Sequence, residues 1–282
     1  MAKKVCLLIV DPQVDFCDPG EKFTLKDGTL MERPTGNLYV KGAEEDMKRL
    51  AAMVHRTKGD LEEIVVTLDS HRSLHVAHPI MWIDKDGNHP NPFTLINVDD
   101  VTGPNVKWRA TNAGYQQRQV EYVQKLKTNG RYVLCIWPPH CLIGSAGYQV
   151  MPVLFDALCK WEQEFAAVNF VTKGSNIFTE HYSAAQADVY DPEDPGTGLN
   201  KGLIKLLQEM DMIAIGGEAS SHCVASTVRD IANNFGDDNI KKMVYLQDAC
   251  SPVPGFEQLE KDFMKEMIDR GMKVTTTDKF LR

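Results

Sequence analysis

The chain has no CxxC pair, no GxGxxG, no GxxxxGKS or GxxxxGKT, and no GxSxG. Nucleotide cradling and serine-hydrolase chemistry therefore have no motif to rest on. It also lacks any apolar run long enough to span a bilayer, which argues against a membrane partner. Basic residues are scattered rather than blocked, and the net charge is −8, so a nucleic-acid partner is not expected. Seven cysteines, an odd number at irregular spacing, do not make a disulfide framework. Free thiols and a reducing, cytoplasmic setting are expected instead. The opening MAKKVCLLIVDPQ is too short in its apolar part for a signal peptide and reads as a buried first strand.

What is present is an ordinary globular composition: 282 residues, 43% hydrophobic and 25% charged. Continuous apolar runs predict buried strands at Val5–Val10, Ile64–Leu68, Tyr132–Ile136, Ala166–Val171, Met212–Ile215, Met243–Leu246 and Lys273–Thr276. Helical spacing predicts helices at Lys41–Thr57, Asn112–Thr128, Val150–Trp161, Asn200–Glu209, His222–Asn233 and Phe256–Arg270. Alternating strands and helices imply an α/β fold, a three-layer α/β/α sandwich around a mainly parallel sheet. One domain over residues 1–282 is expected, with insertions at about 18–40 and 79–130. The first is a loop with room for a hairpin around Asp27-Gly28; within the second, 79–112 reads as irregular.

In such sheets, ligands bind beyond the carboxyl ends of the strands. Asp11, Asp69, His71, His140, Lys173 and Cys223 all lie shortly past apolar runs, so one sheet edge would collect them. Cys223 follows a strand and a glycine pair and begins a helix, where free N–H groups and the helix dipole favour an anion. A thiol so placed can have a lowered pKa and act as a nucleophile. The plainer reading is inert packing, which fits Cys6, Cys135, Cys159 and Cys250. Asp11 can take a proton from a thiol and return it to a leaving amine, though strand-end aspartates commonly cap turns. Lys173 would favour both anions if buried beside them, while a lone loop lysine is usually solvated. Asp69, His71 and His140 offer the donor set of an open divalent site, compatible with zinc or iron(II); such histidines are also common as hydrogen-bonded structural residues. His75 is expected in an outer layer or facing solvent. Phe16 and Trp137 suit stacking on a flat ring or plain core packing.

Taken in order, these segments resemble the isochorismatase-like cysteine hydrolases, most closely the nicotinamidase branch. DPQVDF (Asp11–Phe16), DSHRSLH (Asp69–His75), WPPHC (Trp137–Cys141), TKG…HYSA (Thr172–Ala184) and GGEASSHCV (Gly216–Val224) carry the likeness, and DAC (Asp248–Cys250) also fits. The resemblance implies that Asp11, Lys173 and Cys223 are catalytic and that Asp69, His71 and His140 hold one divalent transition ion, Zn2+ or Fe2+. Phe16, Trp137, Tyr182 and Ala219 would contact substrate. Ala219 and Cys223 would supply an oxyanion hole, with a cis peptide at Glu218–Ala219. The implied reaction is nicotinamide plus water to nicotinate plus ammonia, through a cysteine thioester, with the substrate's ring nitrogen on the metal. A small-molecule amide is the expected partner, and a homo-oligomer is compatible.

Four features depart from that pattern. Val14 replaces an asparagine, Ser70 an aromatic and Glu218 an apolar residue, and a long stretch separates DSH from WPPHC. The altered turn and the long stretch motivate an alternative, an amidohydrolase acting on another amide or ureido compound; a catalytically silent binding or assembly protein is the other alternative.

Overall fold

The computed structural model describes residues 3–27 and 29–282. Six strands form one parallel sheet: β1 (Val5–Val10), β2 (Glu63–Asp69), β3 (Asn169–Lys173), β4 (Met212–Gly217), β5 (Met243–Leu246) and β6 (Lys273–Thr275). Their spatial order is β6-β5-β4-β1-β2-β3. β1 is buried along its whole length, which is why it reads as an unbroken apolar run. β3 closes one edge of the sheet, and its outer residues are exposed.

The connecting helices are α1 (Ala43–Thr57), α2 (Gln116–Thr128), α3 (Pro152–Glu164), α4 (Lys201–Gln208), α5 (Cys223–Phe235) and α6 (Glu257–Asp269). From β1 the chain steps outward through β2 to β3, then returns to β4 and steps the other way. α1 packs with α3, and α5 packs with α4 and α6; the right-handed rule for parallel crossovers assigns the two groups to opposite faces of the sheet. The expected three-layer sandwich is the fold observed. The reversal falls between β1 and β4, whose ends pair at Val10 and Gly217. A crevice opens at such a reversal. Among the described residues, no helix is long and apolar enough to cross a membrane.

One expected strand does not join the sheet. Of Tyr132–Ile136, only Leu134–Cys135 is extended, and it pairs antiparallel with Leu95–Ile96. Trp137-Pro138-Pro139 follows at once, and prolines cannot donate to a ladder. The helix expected from Asn112 begins at Gln116, after a tight turn in which the Asn112 side chain accepts from the N–H of Gly114. The hairpin in the 18–40 stretch forms, Glu21–Thr24 against Leu30–Arg33; Gly28 of its turn lies outside the described residues.

Candidate active site

Asp11 follows directly after β1 with φ +44°, a left-handed conformation that aspartate tolerates better than most residues. Its N–H reaches the carbonyl of Thr67 at 3.1 Å, and the Thr67 hydroxyl donates back to its carboxylate, tying it to β2. The side-chain amide of Gln13 exchanges two bonds with the backbone of Asp69, at 2.7 and 2.8 Å. The strand that carries Asp11 thus also sets the position of Asp69.

Lys173 ends β3 and is fully enclosed. Its ammonium lies 2.8 Å from Asp11 Oδ2, 3.2 Å from Asp69 Oδ1 and 3.6 Å from Cys223 Sγ. Gly174, at φ +82°, must lack a side chain: a Cβ there would meet Asp69 Oδ1 at 2.7 Å. Gly217, at φ +111°, lets the β4 turn pass against Val10, where a Cβ would come within 2.0 Å of its carbonyl oxygen. Beyond that turn, the Glu218–Ala219 peptide is cis, at the expected position. Val224 donates to Ala219 O and Ser226 to His222 O. The N–H groups of Ala219 and Cys223 find no acceptor among the described residues. Two donors beside a thiol are thereby left free.

His140 arrives from outside the sheet. Its segment is pinned to the end of β2 by His71 N–H to Cys141 O at 3.1 Å and Ile143 N–H to His71 O at 3.0 Å. Asp69 Oδ2 then sits 2.9 Å from His71 Nε2 and 3.3 Å from His140 Nε2. Both Nδ1 atoms face backbone carbonyls, Gly174 O at 3.2 Å and Pro138 O at 2.8 Å. A carbonyl only accepts, so in the neutral rings the proton is on Nδ1 and Nε2 is bare. Two Nε2 atoms of such rings, turned onto one carboxylate oxygen, would be well served by a cation between them. The donor atoms of Asp69, His71 and His140 converge within 4.8 Å, a fit for a zinc- or iron-like divalent ion.

The electrostatics decide the protonation states. Burial pulls the Lys173 ammonium down, but the carboxylates of Asp11 and Asp69 and the Cys223 sulfur hold it well above its ordinary value. Burial raises the Asp11 carboxyl; Lys173 opposes this, and Asp69 adds to it. The Cys223 thiol is also pushed well up, by burial first and by Asp11 and Asp69, with Lys173 opposing. This corrects the expectation of a lowered thiol. At 3.6 Å and an effective dielectric of about 20, the lysine–thiolate attraction is roughly 5 kcal/mol. Desolvation of a buried ion costs several kcal/mol, and the two carboxylates stand on the opposing side.

Phe16, Trp137, Tyr182 and Ala219 border the same small cavity as Asp69, His140 and Cys223. Its free volume is about 20 Å3, room for roughly one water. Wider clefts of about 540 and 780 Å3 lie elsewhere, away from these groups. Trp137 Nε1 donates to the Tyr182 hydroxyl at 2.8 Å. Glu218 turns its carboxyl away, accepting from the Ser251 N–H at 3.1 Å. His75 does not face solvent: it is 0% exposed, and its ring lies 4.3 Å from that of His71.

Sequence reasoning passed over Glu180 and His222. Glu180 Oε1 is 3.8 Å from His71 Nε2 and forms a second convergent group with His71 and His75. His222 borders the cavity, and burial holds it neutral, with its pKa down at about 3. Adjacency to Cys223 was the one available signal for His222; nothing marked Glu180. Residues 79–130 contribute nothing to the cavity border, whereas Leu38, from the 18–40 stretch, does.

No protein-family model and no curated protein matches the sequence. Solved structures do. The Acinetobacter baumanii nicotinamidase/pyrazinamidase superposes with TM-score 0.61 at 19% identity, over 99% of each chain. A yeast nicotinamidase bound to the inhibitor nicotinaldehyde gives 0.62 at 20%, over 96% of this chain and 99% of that one. The Pyrococcus horikoshii pyrazinamidase in complex with zinc gives 0.52 at 16%, over 97% and 99%. The chain therefore has the fold of the nicotinamidase and pyrazinamidase structures.

Proposed function

We propose that the protein is a cysteine amidohydrolase of the nicotinamidase type, converting nicotinamide and water to nicotinate and ammonia. The observation that carries the reading is Lys173, whose ammonium touches Asp11, Asp69 and the Cys223 sulfur at once. One buried cation there couples a base, a nucleophile and a metal-type donor set.

The resting thiol is protonated, so attack requires a base. Asp11 takes the proton as Cys223 Sγ adds to the amide carbonyl, and Lys173 balances the negative charge left on the pair. The free N–H groups of Ala219 and Cys223 receive the developing oxyanion; a donor of this kind contributes roughly 3–4 kcal/mol. Asp11 then returns its proton to the departing amine, ammonia leaves, and a thioester remains. Asp11, again a carboxylate, draws a proton from the water that attacks the thioester; the acid is released as the C–S bond breaks, and Asp11 returns the proton to the Cys223 sulfur. A divalent ion held by Asp69, His71 and His140 would supply a Lewis acid and an anchor for the ring nitrogen. Phe16, Trp137 and Tyr182 would flank the ring.

The two motives for another substrate weaken: Glu218 faces away from the cavity, and residues 79–130 do not border it. A catalytically silent protein would have no need to keep Asp11, Lys173 and Cys223 in contact. The test is ammonia release from nicotinamide by reduced, metal-loaded protein. Turnover supports the reading; no release from nicotinamide, with other amides hydrolysed, replaces it by a broader amidase.

A further inference from the structure

Glu218 stands between Gly217 and Ala219, at the foot of the turn that leads to Cys223, and is 0% exposed. Ser251 lies between its carboxyl and that of Asp46 in α1. The Ser251 N–H donates to Glu218 Oε2 at 3.1 Å, and its hydroxyl donates to Asp46 Oδ2 at 2.6 Å. Ser251 O also accepts the Ser220 N–H at 2.9 Å, so one residue holds the turn from both sides. Arg49 binds Asp46 Oδ1 at 2.5 Å and the carbonyl of Asp248. Asp46 thus accepts two donors, whereas Glu218 Oε1 is buried with no partner among the described residues.

Two buried carboxylates bridged by one serine, with a single arginine already committed to Asp46, leave one charge without a counterion, and a buried unpaired charge favours the neutral acid. Among the described residues, the other titratable groups shown to interact with Glu218 bring no second cation. They are Glu260 of α6, Tyr245 of β5, and the thiols of Cys250 and Cys17. We propose that Glu218 is a positioning residue that remains a neutral acid and donates its proton from Oε1 to Asp46. It thereby clamps the Ala219–Cys223 turn to α1. Burial first, then Asp46, pushes the Glu218 carboxyl well above its ordinary value, which agrees with the geometry. No pocket group is involved, because the acid lies behind the turn. The clamp rests on the reading of Cys223 as the nucleophile; the protonation of Glu218 does not.

The folded-state pKa of Glu218 is raised above the unfolded value of 4.5, so the stabilisation is complete below that pH. It is lost as pH rises toward the folded pKa, where a second buried anion faces Asp46. Infrared difference spectra of wild type minus Glu218→Gln at neutral pH read the acid directly. A protonated-carboxyl carbonyl band that shifts in heavy water is expected. Its absence overturns the proposal whether or not any amide is hydrolysed.

The clamp is read by the rate of Cys223 alkylation with iodoacetamide across pH, which needs no substrate. Wild type should fall below Glu218→Gln on the alkaline side. Glu218→Ala should differ from wild type by about tenfold at neutral pH, with Glu218→Gln recovering most of the difference. Coincident curves for wild type and both variants overturn the positioning role. If Glu218→Ala does not fold, the comparison of wild type with Glu218→Gln decides alone.

Discussion

The Lys173 ammonium stands 3.6 Å from the sulfur of Cys223, and both side chains are buried. The same ammonium is 2.8 Å from Asp11. A lysine shared in this way does not ionise the resting thiol, because desolvation and two carboxylates outweigh it. In the proposed reaction it would make proton transfer from Cys223 to Asp11 cheap in charge terms, because the pair would carry one negative charge before and after.

Removing the sulfur should remove turnover without removing the fold. Cys223→Ala is expected to lower kcat by roughly four orders of magnitude or more. The thermal midpoint should stay within a few degrees of wild type, since the side chain is small. Amide hydrolysis near the wild-type rate would eliminate the thioester route.

Lys173→Met strips the cation from two buried carboxylates, Asp11 and Asp69. Breaking a buried pair by removing one partner costs about 3–5 kcal/mol. Urea denaturation at neutral pH should show a loss of that order, together with loss of turnover. A variant as stable as wild type would mean that one of the carboxyl groups is already neutral.

His140→Ala leaves Asp69 and His71 as a two-residue remnant. Bound metal measured by elemental analysis should fall from near one equivalent to a small fraction, with circular dichroism unchanged. Unaltered metal content would move the site elsewhere, with His71, His75 and Glu180 the next group to test.

His222 is buried and neutral, with its pKa lowered from 6.5 to about 3. A depressed pKa contributes stability above the unfolded value and loses it as pH falls through the folded one. Stability of the wild type should therefore decline from about pH 6.5 toward pH 3 on this account. His222→Phe should flatten that decline in a pH series of urea midpoints. An identical acid limb in both proteins would show that His222 does not contribute to it.

Tyr182→Phe leaves the buried Trp137 indole N–H without its acceptor, now at 2.8 Å. An unsatisfied buried donor costs about 1–3 kcal/mol. The expected result is a stability loss in that range with a raised KM for nicotinamide, because both rings border the cavity. A change in neither would mean that a water molecule replaces the hydroxyl.

Much of this was already written in the linear chain. The unbroken run Val5–Val10 could only be a strand covered on both faces, and Asp11, Asp69 and Lys173 had to follow strands that turned out to be neighbours. Period and apolar content are local properties, and a parallel sheet converts them directly into a shared edge. Tertiary structure decided what depends on surroundings. Tyr132–Ile136 is as apolar as a sheet strand, but the prolines after it and its partner Leu95–Ile96 keep it out of the sheet. His75 and Glu180 are turned inward by packing that no local pattern encodes. Glu218, which by position alone threatened the amide site, is drawn behind the turn by Ser251 and Asp46. The protonation of Cys223 was likewise set in three dimensions: a helix start favours the thiolate, but the water that would have solvated it has been excluded.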